Sequence, residues 1–324
     1  MTRQTRRERA LDLLASNDRV SPLAERVGAR ALSDQIDRMV YDGDVVAVQL
    51  PLRPSDVRSK RIKMFRQHGT DQIARAFHDG GWRGYEHPVP TMFRGCVDRS
   101  TGLVFDVGAN TGVYALVAAA TGRTVHALEP SRDIAALLRA NVRLNRQEGR
   151  ITVVEVAASD RDGRAQLFIP PPTTNTIETS ASLDPAFLTD GVEDPSYKRR
   201  HAASLDVTTT TLDVYWRRLG SPPVGIVKID VEGHEAAVLA GATELTKSCQ
   251  PVIFLEVLRD AGRINDFKER FDYVDVRLSA VEAVFGDVVK YDPLGWNHIL
   301  IPIEWIEAVK HMVRSSDLIL TVPT

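Results

Sequence analysis

The sequence predicts an α/β fold, a mainly parallel sheet with helices on both faces, preceded by a mainly helical N-terminal extension. Three observations carry this reading. From Thr101 onward, short apolar runs alternate with helical patterns, which is the signature of strand–helix–strand units. The first apolar run, Leu103–Val107, leads into a turn of small residues, Gly108-Ala109-Asn110-Thr111-Gly112, and then a helical stretch, Gly112–Ala120. Two successive runs carry an acid at their ends, Asp106 and Glu129, as expected where a sheet's carboxyl edge faces a ligand.

The remaining elements follow in order. Val125–Leu128 reads as the second strand, Asp133–Asn145 as an amphipathic helix with Ile134, Leu137, Leu138 and Leu144 on one side, and Ile151–Val156 as the third strand. Asp162-Gly163 lies between apolar runs and predicts a hairpin turn into Ala165–Ile169. Pro170 to Leu205 breaks the rhythm with Pro, Thr and Ser. A long irregular stretch inside a compact domain predicts a lid, with Asn175, Thr176 and Ser180 offering polar contacts or merely solvating a loop. Leu212–Leu219 is a helix, Val224–Ile229 a strand, Gly233–Leu245 a helix and Val252–Leu255 a strand running into Glu256. Tyr273–Leu278 and His298–Ile301 can close the sheet as a pair, and Glu304–Val313 is a last helix. Residues 1–95 differ, with helical stretches such as Ser21–Val40 and few strand signals. Arg53–Arg66 is basic with a single acid, Asp56. It reads either as a patch for an anionic partner or, as charge runs usually do, as a solvated helix face with Val57, Ile62 and Phe65 inward.

The bulk numbers exclude several classes. A chain of 324 residues with 43% hydrophobic and 26% charged residues can bury a full core without staples. Two cysteines, Cys96 and Cys249, exclude a disulfide framework and a Cys-rich metal site. The N-terminal segment is basic without a long apolar core, so no secretory signal is expected, and no apolar run is long enough to span a bilayer. A cytoplasmic protein is therefore expected. A net charge of −2 gives no global attraction to nucleic acid, and none is expected as a partner.

Two clusters carry chemistry. In the first, Gly108 and Gly112 permit a tight turn and close backbone approach to a ligand. Glu129 can accept from two ribose hydroxyls, and Asp106 can hold a ligand ammonium. Alternatively, both acids cap local backbone. A dinucleotide calls for G-x-G-x-x-G, whereas position 110 here is Asn. A cofactor with an amino-acid end and no phosphate, such as S-adenosylmethionine (SAM), needs no middle glycine. The absence counts against an NAD-dependent oxidoreductase, the competing reading. The second cluster is Ile226-Val227-Lys228-Ile229-Asp230-Val231-Glu232-Gly233-His234-Glu235, a strand end turning into a helix. Strand alternation puts Lys228 and Asp230 on one face. So many charges at one strand end imply a ligand or mutual pairing, and Glu256 faces the same edge in a doubly wound sheet.

At these residues the chain resembles the FkbM family of SAM-dependent methyltransferases. The matching pieces are VFDVGANTGVYALVAAATG, HALEPS, VEVAASDRDGRAQLFIP, TTTLD, and VGIVKIDVEGHEAAVLAGA followed by PVIFLEV, spanning Leu103 to Val257. The resemblance implies the class I methyltransferase fold, a seven-stranded sheet with its last strand antiparallel. The methyltransferase domain is expected over 96–324, beyond the matching span, with 170–205 as lid or insertion, after an extension over 1–95. The resemblance further implies O-methylation of a hydroxyl on a small-molecule or glycan acceptor, a sugar or a polyketide-type natural product. By motif position, Asp106, Gly108, Asn110 and Gly112 would line the methionine end of SAM. Glu129, with Ser131 beside it, would take the ribose hydroxyls, and Ser159 and Asp160 would lie near the adenine. Asp230 and Glu232 would face the methyl group and the acceptor. The base is expected to be Asp230 first and His234 second. A divalent metal on Asp230, Glu232 or Glu256 is a third, less favoured option. An RNA methyltransferase on the same fold ranks low, because no aromatic stacking strip accompanies the basic patch. The N-terminal helices are candidates to form a homodimer contact or to cover the site.

Overall fold

A computed structural model describes residues 44–51, 60–169, 180–185 and 203–322. The Ser21–Val40 helix, residues 53–59 of the basic stretch, and Asn175 and Thr176 lie outside the described residues.

The central sheet starts with β3 (Leu103–Val107), β4 (Val125–Leu128) and β5 (Ile151–Val154), each parallel to the next. On the other side of β3 lie β9 (Val224–Ile229), also parallel, and β10 (Val252–Glu256). β13 (Asn297–Pro302) then runs antiparallel between β10 and β11 (Tyr273–Leu278). These seven strands, in the order β5-β4-β3-β9-β10-β13-β11, form the predicted sheet, with the antiparallel strand inserted next to last. Two strands that the sequence reading did not include, β12 (Glu282–Gly286) and β14 (Ile319–Thr321), extend the edge to nine.

The winding of the sheet reverses between β3 and β9: successive units lead outward from β3 on one side and from β9 on the other. Such a switch point leaves a crevice at the strand ends. α3 (Val113–Ala120), which links β3 to β4, is apolar all round and buried over Val113–Ala119, as a helix enclosed in a large core should be. α4 (Arg132–Leu144) links β4 to β5. It buries Ala135, Leu138, Asn141 and Val142, so its inner face is rotated from the one expected. Of the four predicted residues only Leu138 is fully buried; Ile134, Leu137 and Leu144 are half-buried.

Three local expectations need correction. Arg61–Phe65 is a strand, β2, paired antiparallel with β1 (Val45–Gln49), rather than part of a helix face. Its basic residues alternate with Ile62 and Met64, which point into the core, while Phe65 is half-buried. The helix expected over Gly233–Leu245 is two: α6 (Glu235–Ala240) and α7 (Thr243–Cys249). Asp213, on α5 (Leu212–Arg218), accepts from the Glu244 and Leu245 amides at 3.0 and 2.9 Å and so caps a new helix there. Finally, the Asp162-Gly163 turn does not fold β7 (Gly163–Ile169) back on the third strand. β7 pairs with β8 (Ala203–Thr210), which also pairs with the short β6 (Ala157–Ala158), in a separate three-stranded sheet.

Among the described residues of the extension, α1 (Gln72–Gly80) and α2 (Val89–Arg99) are the α-helices, and both pack into the main core. No helix among the described residues is long and apolar enough to cross a membrane. The β1–β2 hairpin is fastened by side chains. Asn141 accepts from the Phe65 amide at 2.9 Å and donates to the Thr111 carbonyl at 2.8 Å. Asn145 accepts from the Lys63 amide at 2.8 Å and donates back to its carbonyl. Asn141→Leu is expected to cost about 1–3 kcal/mol, because it strands a buried carbonyl and an amide. Urea denaturation measures the loss, and hydrogen exchange at Lys63 and Phe65 should accelerate more than exchange in β9.

Candidate active site at the carboxyl end of the sheet

A cavity of about 300 Å³ opens at the switch point. Its wall brings together Gly108, Asn110, Glu129, Ser131, Asp230, Glu232 and His234, seven of the eleven residues singled out from sequence. The three-stranded sheet and the short 180–185 segment close it on another side with Leu167, Ala181 and Leu183. Asp106, Gly112, Ser159 and Asp160 are not on the wall.

Backbone geometry explains the glycine turn. Gly108 has φ +75°, and a Cβ there would collide with the Asp230 carbonyl oxygen. Only glycine lets the end of β3 lie this close to the end of β9. Gly112 has φ +97° and abuts Leu138 on α4, so its role is to seat helix on helix. Asn110 takes the left-handed φ of +47°, which Asn tolerates better than most residues, and its side chain accepts from the Thr111 amide at 2.7 Å.

Glu129 is held by two backbone amides. Its Oε2 accepts from Asn110 at 3.0 Å and its Oε1 from Ser131 at 2.9 Å. Each oxygen keeps a lone pair for a ligand. Burial lifts this carboxyl to about 7, against the pull of those amides. Asp106 is also lifted to about 7 by burial, with the Lys228 ammonium pulling it down. Its Oδ2 accepts from the Ala115 amide at 2.8 Å, in the first turn of α3, so it caps the amino end of that helix.

The β9–α6 turn is built by two successive left-handed residues, Glu232 at φ +53° and Gly233 at φ +90°. Glu235 closes it by accepting from Gly233 at 3.0 Å and Val231 at 3.2 Å. Burial holds that carboxyl up near 7 as well. Ser182 donates to the Glu232 carbonyl at 2.7 Å and ties the 180–185 segment to the turn. His234 Nε2 lies 2.9 Å from Ser159 Oγ, which is itself 3.2 Å from Asp160 Oδ1. Ser159 and Asp160 thus bear on the cavity through His234, whose imidazole burial holds below its ordinary range.

Behind Asp230 lies a cluster that the motifs announce only in part. Lys228 is fully buried, with its Nζ 3.2 Å from Asp230 Oδ2 and 5.1 Å from the Tyr114 ring centre. Tyr114 donates to Glu86 at 2.6 Å, and Trp296 donates to Glu256 at 3.2 Å. Glu86, Asp230 and Glu256 each bring a carboxylate oxygen within 4.8 Å of the others, a spacing compatible with one shared cation. The strand register placed Glu256 beside Asp230, because Leu255 pairs with Ile229. Glu86 belongs to no motif, and no sequence signal pointed to it.

Residues 106–283 match the family model described as the methyltransferase FkbM domain, more than half of the chain. The chain belongs to the FkbM methyltransferase family. The match extends beyond the resemblance read from sequence, which ended at Val257. The 31-O-demethyl-FK506 methyltransferase FkbM of Streptomyces tacrolimicus is 33% identical over 159 residues, covering 44% of this chain and 60% of that protein. The chain therefore matches less than two thirds of that relative's length. Among solved structures, the methyltransferase FkbM of Methylobacillus flagellatus KT aligns at 16% identity and a TM-score of 0.39, over 62% of this chain and 43% of that one. An O-methyltransferase from Bacillus cereus in complex with SAH aligns at 13% and 0.35, over 66% of this chain and 80% of that one.

The FkbM family implies SAM as methyl donor, and the state of Glu129 then sets a pH dependence. Its folded pKa is raised, so in the ligand-free protein the proton is lost only as pH rises through about 7. The ionised carboxylate is the better acceptor for two hydroxyls and the better neighbour for a cationic ligand. SAM affinity, measured by calorimetry, should rise between about pH 6 and about pH 8 and then level off. Glu129→Gln should flatten that slope and weaken binding by about tenfold or more. A slope that survives the substitution would assign the titration to another group.

Proposed function

We propose that the chain is a SAM-dependent O-methyltransferase acting on a hydroxyl of a sugar, a glycan or a polyketide-type natural product. The observation that carries the reading is that Glu129 and Asp230 face one cavity at the switch point of the sheet. Cofactor fit supports it. Gly108 leaves room at the turn, Glu129 offers two acceptor oxygens, and Ile134, Val156 and Leu183 give the cavity an apolar flank for a purine. The name of the Streptomyces tacrolimicus relative, a 31-O-demethyl-FK506 methyltransferase, supports a hydroxyl acceptor.

When bound, SAM supplies a methyl group on a sulfonium, already activated for displacement. What remains for the protein is alignment and removal of one proton. Alignment contributes up to about 7–11 kcal/mol in well-oriented systems. As the new C–O bond forms and the S–C bond breaks, the hydroxyl proton must leave. Asp230, on the cavity wall at the end of β9, is the residue we assign to accept it or to orient the hydroxyl. Glu232 follows on the same wall as an acceptor contact. His234 ranks behind Asp230, because Ser159 already engages its Nε2.

The test is mass spectrometry of products after incubation with isotope-labelled SAM and an acceptor panel of 31-O-demethyl-FK506, simple sugars and oligosaccharides. Transfer to a hydroxyl is expected. Label appearing only on nitrogen or carbon would overturn the O-methylation reading. On the acceptor found, Asp230→Asn should lower kcat about 10²–10⁴-fold with SAM affinity unchanged. His234→Ala should have the smaller effect on turnover.

A further inference from the structure

Lysine is almost never fully buried unless paired, and Lys228 has no exposed surface. It lies on β9 two residues before Asp230, where alternation puts both side chains on one face. Its Nζ is 3.2 Å from Asp230 Oδ2. The Tyr114 ring lies beneath the ammonium at 5.1 Å, and the hydroxyl of Tyr114 is committed to Glu86 at 2.6 Å. Asp230 is therefore gripped from inside the protein by one oxygen while it lines the cavity.

We propose that Lys228 is a positioning residue for methyl transfer, its buried ammonium clamping the Asp230 carboxylate in the orientation in which it meets the acceptor hydroxyl. The inference rests on the assignment of Asp230 made above. The charges around the pair come from every side: Tyr85 and Glu86 from the segment before α2, Asp106 from β3 and Tyr114 from α3. Glu232 and Glu235 come from the turn after β9, and Glu256 from β10. Burial opposes the charge on Lys228. Asp230 first, then Glu86 and Glu256, outweigh burial and hold the ammonium above the ordinary lysine range. The same ammonium draws Glu86 and Glu256 down, while burial first and the Asp230 carboxylate second push both up. A clamp of this kind fixes which Asp230 oxygen stays free, because a side chain held by one charge-assisted bond loses most of its rotational freedom.

The chain has only eight lysines, so their Cε resonances can be separated by ¹³C labelling. The Lys228 signal is identified by its loss in Lys228→Met or, if that variant does not fold, in Lys228→Arg. In the wild-type protein it should keep the ammonium shift through the alkaline range. In Asp230→Asn, where burial loses its main opponent, it should titrate at least about one pH unit lower. On the acceptor drawn from the panel above, Lys228→Met should lower kcat at least about tenfold. Calorimetric SAM affinity should stay unchanged, and Lys228→Arg should recover part of the rate. An unaltered Lys228 titration in Asp230→Asn, or wild-type turnover in Lys228→Met, overturns the proposal. Asp230→Asn with undiminished turnover would instead remove the base assignment, whatever Lys228 does.

Discussion

The site depends on one close approach, between the turn at Gly108 and the backbone of Asp230. β3 and β9 are neighbours in register, with Val107 beside Ile229, and the Asp230 amide continues the ladder by donating to the Val107 carbonyl at 2.9 Å. The two chains leaving these strands must diverge, one toward α3 and one toward α6. They can remain in contact at the point of divergence only because residue 108 has no side chain and adopts φ +75°. That geometry brings the glycine turn to the strand end carrying Asp230. The residues that the proposed function gives to donor and acceptor therefore share one wall of the cavity.

Burial of carboxylates is the cost of this arrangement. Asp106, Glu129 and Glu235 are nearly or fully inside, and burial pushes each up to about 7. Their folded pKa values lie above their unfolded ones, so each destabilises the ligand-free protein progressively as pH rises from about 4 to about 7. The amides that hold them offset part of this: Ala115 for Asp106, Asn110 and Ser131 for Glu129, Val231 and Gly233 for Glu235. These bonds also shape the turns. Glu129 fixes the Asn110 amide across the crevice, and Glu235 folds the tight Glu232-Gly233 corner, so each strained turn is stabilised by the same carboxylate that is uncomfortable beside it.

Much of the fold was legible in the sequence because its signals are local. Buried parallel strands read as apolar runs, and the two loaded strand ends stand out by their acids and glycines. Asp106, Gly108, Asn110, Glu129 and Asp230 all come from such runs. What escaped notice depends on partners distant in sequence. β2 was hidden because Arg61 and Lys63 on its outer face suggest a charge run, and only the alternation with Ile62 and Met64 betrays a strand. The break between α6 and α7 is set by Asp213, which lies on another helix. β7 finds its partner in β8, more than thirty residues on, so a turn dipeptide at Asp162-Gly163 could not reveal it. Glu86 is the clearest case. It sits in no repeat or motif, and only the folded chain brings it to Tyr114 and within reach of Asp230 and Glu256.

The positions of these residues in the chain separate two tasks. Gly108, Asn110, Glu129, Lys228, Asp230 and Glu256 all lie inside the family-matched span 106–283. Tyr85 and Glu86 precede it and Trp296 follows it, yet they converge on the Asp230–Glu256 cluster. The family-matched span therefore carries the glycine turn and Glu129 together with the Lys228–Asp230 pair. The flanking parts add a carboxylate and aromatic rings next to that pair and Glu256, and none of them takes part in the β3–β9 ladder. On the proposed assignment of Asp230, these flanking residues are the ones placed to differ between acceptors, and none of them belongs to a motif that can be read from sequence.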